Sequence, residues 1–147
     1  MLKQSTGLRT KMLDTSPFKT LMNLGSIKIY SGPVPASADE AITGSHTLLS
    51  TITVASGATG LSMDATAVAG VLGKAPGDVW SGVNAATGTA TFYRHVAVGD
   101  TGALSTTECR LQGNVAVFGQ ELNLTSTTLT SGATQTIDFY VVANPTL

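Results

Sequence analysis

Few residues in this chain have types and spacing suited to chemistry. His46 and His95 are the only two histidines. They lie too far apart for the short His spacing of a zinc site. Cys109 stands alone between Glu108 and Arg110. A thiolate beside Arg110 is chemically conceivable, but the sequence assigns no histidine to activate it, so a small strand residue is expected. Asp39-Glu40 are adjacent carboxylates in a loop, and Asp39 reads as the cap of a turn rather than half of an acid–base pair. Gly73-Lys74 is followed by Ala75, so the phosphate-cradling loop with Ser or Thr after the lysine is not formed. Asn123-Leu124-Thr125 matches a glycosylation triplet, read as chance without a secretion signal. Trp80 and Tyr93 could offer a sugar-stacking platform, with core packing as the alternative. The expectation is a binding protein, with no catalytic residues, no metal and no cofactor.

The composition agrees with a body built for packing. Ala, Gly, Ser and Thr make up nearly half of the 147 residues, and charged residues are only 12%. Such side chains suit flat, closely packed strands. No apolar run reaches the ~18 residues of a membrane span, and residues 1–25 lack a signal-peptide pattern. One cysteine excludes an internal disulfide. Together these suggest synthesis inside a cell. Lys3, Arg9, Lys11, Lys19 and Lys28 face only Asp14, so the start of the chain is basic and the remainder acidic. Nucleic acid is an improbable partner, because the cations are sparse and no aromatics interleave with them. Docking on an acidic protein surface and a merely solvated helix face both fit.

The periodicity divides the chain in two. Residues 1–25 read as a short helical arm. Leu8, Met12 and Leu13 approach helical spacing, and Phe18, Leu21 and Met22 form a stripe after Ser16-Pro17. Gly25 is the expected C-terminal stop. From Ser26 the period becomes two. Strands are expected at 26–30, 47–54, 77–81, 87–98, 110–118, 121–125, 127–130 and 134–143, separated by Gly-containing turns. About eight antiparallel strands over 26–147 indicate a mainly β domain, a β-sandwich or jelly roll. In 134–143, Ile137, Phe139 and Val141 should face the core. In 87–98, Phe92 and Val96 share a face with Arg94, which leaves Arg94 free to reach an interface.

Several stretches carry a family likeness. "GLRTKMLDTSPFKTLMNLGSIKIYSGPVPASADEAITG" resembles the opening of a group of small virion structural proteins of tailed bacteriophages. "VLGKAPGDVWSGV", "GTATFYRHVAVGD" and "ELNLTSTTLTSGATQTIDFYVV" are similar to that group's later strands, so the resemblance spans most of the chain. It implies a structural protein without an active site, located in the virion after synthesis in the host bacterial cytoplasm. A capsid cement or decoration protein is the leading expectation. It would be a homo-oligomer contacting the major capsid protein or other virion proteins. A neck or tail component is the alternative, and a carbohydrate-binding module is the alternative of another class. The candidate contact residues are Leu8, Arg9, Lys11, Met12, Phe18 and Leu21 on the arm, Pro33 and Pro35 on the loop, and Arg94. Truncation of the arm is expected to leave a folded β body.

Overall fold

In a computed structural model, which describes residues 1–143, the chain is mainly β. It opens with β1 (Lys3–Gln4), α1 (Thr6–Asp14) and α2 (Phe18–Met22). Then come β2 (Ser26–Ser31), β3 (Thr47–Val54), β4 (Val71–Gly73), β5 (Trp80–Val83) and β6 (Gly88–Thr89). The rest are β7 (Phe92–Val96), β8 (Arg110–Ala116), β9 (Leu122–Asn123), β10 (Thr128–Leu129), β11 (Thr134–Ile137) and β12 (Val141–Ala143). One eight-stranded sheet runs in the order β1-β8-β7-β2-β3-β5-β11, with β9 added parallel to β8. The other ladders of this sheet are antiparallel, and β10-β6 and β12-β4 form two small separate antiparallel pairs.

β3 joins the two halves of the sheet. Its first part pairs with β2, from Thr47 to Ile52, and its last two residues pair with β5. A bulge between Ile29 and Tyr30 adds twist to β2. The inner face collects Ile27, Ile29, Leu49, Ile52, Trp80, Tyr93 and Ile137 in the main core. Trp80 and Tyr140 lie 5.4 Å apart between ring centres, and Tyr93 meets Tyr140 edge-on. With only eight Phe, Trp and Tyr residues in the chain, this trio fills much of the core.

Three expectations need correction here. Residues 134–143 do not form one strand. β11 ends at Ile137, residues 138–140 leave the ladder, and β12 pairs with β4 instead. Ile137 is buried, but Phe139 is 79% exposed and Tyr140 turns inward in its place. The alternation fails because the backbone changes partner between the two strands. Second, Gly25 does not end α2 in a left-handed conformation. Leu24 takes that conformation, at φ 63. Gly25 is required for close approach, since a Cβ there would lie 2.0 Å from the Val96 carbonyl oxygen. Third, residues 1–25 are woven into the body. β1 is an edge strand of the main sheet. Leu8 and Met22 are fully buried with Cys109 and Leu111 in a second core cluster. Gly7 lets α1 rest directly on the backbone of Thr107 and Glu108.

Candidate interaction surface

The stretch after β2, Gly32 to Gly44, explains the second face of the sheet. Lys28, Arg94 and Gln112 lie side by side across β2, β7 and β8, with Lys3 on β1 completing the row. Tyr30 and Phe92 stack at 5.1 Å on the same face, and Arg110 lies in the adjoining row opposite Val96. All five residues of β7 are buried, so both faces of this strand are covered. The cover on the second face is the proline-containing loop, together with the segment around Asp100.

A loop without secondary structure must still satisfy its carbonyls. Here side-chain donors on the sheet do so. Gln112 Nε2 donates to the Pro35 carbonyl at 2.8 Å, and Lys3 Nζ donates to the same oxygen at 3.0 Å. Arg94 donates to the Glu40 carbonyl at 2.8 Å, to the Ser37 carbonyl at 3.4 Å and to Gln112 Oε1 at 2.9 Å. Arg110 donates to the carbonyls of Ala38, Asp39 and Ala103, and pairs with the Asp100 carboxylate. That ion pair is almost wholly buried. Asp39 carboxylate oxygens accept from the Thr6 amide at 2.8 Å and the Thr6 hydroxyl at 2.7 Å. The Ser5 hydroxyl caps α1 by accepting from the Leu8 amide, and it also bonds the Glu108 carbonyl and the Arg110 amide. The loop is therefore clasped to its own sheet.

Three candidate contact residues lie away from any surface, two of them under this clasp. Arg94 is 1% exposed, so it does not reach an interface. Burial and the neighbouring Arg110 lower its pKa to about 10, and it stays protonated at neutral pH. Pro35 is buried under the clasp, and Leu8 is core. Pro33 and Arg9 are exposed; Lys11, Met12, Phe18 and Leu21 are half-buried. Met12 and Phe18 come together. With Pro17, Ala67, Leu72 and Val142 they line an open, mainly apolar groove of ≈ 420 Å³ between the helices and the β4–β12 pair.

The chemistry-capable residues lie inside. His95 is fully buried, not at a surface. Its Nδ1 lies 3.2 Å from the Tyr140 hydroxyl, and Phe18 meets its ring edge-on. Burial pushes its pKa down to about 4, with the Met22 carbonyl pulling the other way. Burial likewise pushes the Cys109 thiol up, which opposes a thiolate. Trp80 and Tyr93 are at most 1% exposed, so they present no sugar-stacking platform. The large exposed apolar residues are others: Leu13, Val68, Val98, Leu104, Phe118 and Phe139. Apart from Leu13, which lies in α1, they sit outside helices and strands, where neither a two-residue nor a 3.6-residue period applies. The Asp100–Arg110 pair had one available signal, a charge opening a strand with no other charged residue. Comparison with family models, with curated proteins and with solved structures returned no match.

Proposed function

We propose that this chain is a structural protein of a bacteriophage virion. In this reading it is a cement or decoration subunit that binds the head shell and stabilises it. The motif resemblance over most of the chain supports the class. The observation that carries the binding mode is the apolar groove lined by Met12 and Phe18. Its helical side belongs to the basic N-terminal segment, with Lys19 on the lining, so an acidic shell surface bearing one apolar side chain would fit it. We read the eight-stranded sheet as part of a β-sandwich of the jelly-roll type, serving as a rigid body. The clasped loop adds stiffness, which limits the entropy lost on docking.

The mechanism is binding rather than turnover, and it calls on no cofactor. The partner is the major capsid protein or another virion protein, and the location is the assembled particle. Many copies on a symmetric shell would multiply modest contacts by avidity. Exposed ion pairs contribute ~0–1 kcal/mol each, whereas a fully buried apolar side chain contributes about 1.5–3 kcal/mol. Salt should therefore weaken attachment only in part. The test is occupancy of purified particles by the wild-type chain and by Met12→Glu, with melts to confirm folding. Loss of occupancy with an intact fold is expected. Equal occupancy by both proteins would overturn the groove assignment. A reconstruction placing the chain in a neck or tail ring would overturn the shell assignment.

A further inference from the structure

A second hollow lies on the outer side of the β4–β12 pair. The ladder sets Val141 opposite Gly73 and Ala143 opposite Val71, and a bridge from Val68 to Val71 folds the preceding chain back. Val68, Val71, Pro76, Phe139 and Val141 thereby line one hollow of ≈ 420 Å³. Val68 is 72% exposed and Phe139 79%. Phe139 is held in this outward position from both sides. Ile137 before it and Tyr140 after it are core residues, and Tyr140 is wedged against Trp80. Such a side chain is presented without much ordering cost on binding.

The rim carries both signs of charge. Asp64, Asp138 and Lys74 line the same hollow. None of them forms an ion pair among the described residues, and Lys74 Nζ donates to the carbonyl of Asp78. An exposed aromatic in a hollow that mixes apolar side chains with charges of both signs can complement a second copy of itself. That is the requirement for an isologous contact about a two-fold axis.

We propose that two copies of this chain associate through this face. Phe139 of each copy seats against Val68, Val71 and Val141 of the other, and Asp138 faces the partner's Lys74. The groove beside Met12 carries Lys19 as its only charged lining residue among the described residues and suits a foreign acidic surface. The mixed-sign rim around Phe139 suits a second copy.

The experiment is sedimentation equilibrium of the purified full chain over a wide concentration range, without particles. It therefore stands apart from the shell-binding proposal: a dimer that ignores particles and a monomer that binds them are distinguishable results. The expected outcome is a concentration-dependent dimer. Phe139→Ser should raise its dissociation constant by about tenfold or more, with an unchanged unfolding midpoint. Phe118→Ser, equally exposed but outside the hollow, should leave the dimer intact. A wild-type chain that stays monomeric throughout would overturn the proposal. So would a Phe139→Ser dimer as tight as the wild type, or equal loss from Phe118→Ser.

Discussion

Acid should destabilise this protein through His95 before its carboxylates are fully protonated. The imidazole is fully buried among Tyr140, Phe18 and the Met22 carbonyl, and among the described residues no charged side chain pairs with it. Burial lowers its pKa from 6.5 to about 4. A depressed pKa means the unfolded chain binds this proton more readily than the folded one. Stability from the neutral imidazole is thus complete above pH 6.5 and declines as pH falls towards 4. The whole separation corresponds to about 3 kcal/mol, at 1.36 kcal/mol per pH unit. Between pH 7 and pH 5 about 2 kcal/mol of it should be lost, a substantial part of a typical ~5–15 kcal/mol domain stability. Urea unfolding of the wild type and of His95→Gln at pH 7, 6 and 5 measures this. Glutamine keeps a polar group near the Tyr140 hydroxyl and does not titrate, while all carboxylates remain common to both proteins. The wild type should lose about 2 kcal/mol more than the variant over this range. Parallel losses in the two proteins would show that His95 is not held neutral, and the reasoning from burial would fail.

The remaining predictions concern the clasp, the core and the N-terminal segment. Arg110→Ala leaves the Asp100 carboxylate buried and several loop carbonyls without donors, so it should cost about 3–5 kcal/mol in denaturant melts. Phe139→Ala should change stability by no more than about 0.5 kcal/mol, whereas Trp80→Ala should cost about 3–5 kcal/mol; thermal melts of the two variants compare them directly. Deleting residues 1–14 removes β1, the Leu8 core contact and the Thr6 donors to Asp39. The truncated chain should show a markedly lower unfolding midpoint, and an unchanged midpoint would restore the picture of a detachable arm.

Local sequence determined where most strands lie. β2 and β3 fall where Ile27, Ile29 and the β-branched run of 47–54 place them, and Gly-rich turns separate the later strands. A period of two is a property of the backbone itself, so it is visible without knowledge of neighbours. The helix at Thr6–Asp14 and its Ser5 cap are local in the same sense. The candidate contact residues were legible only in part. Met12 and Phe18 do share a groove, but Leu8 and Arg94 do not face outward.

Only the tertiary structure decided which faces are covered. A strand's pattern gives two faces but does not say how many are buried. In β7 the loop from β2 to β3 closes the second face, and that loop is distant in sequence. Arg94 therefore looks like an interface residue along the chain, yet in the fold it and Arg110 donate to carbonyls more than fifty residues away. The same limit applies to Phe139. Its outward position follows from β11 pairing with β5 and β12 pairing with β4. A change of partner between adjacent strands breaks the alternation, and no local periodicity records it.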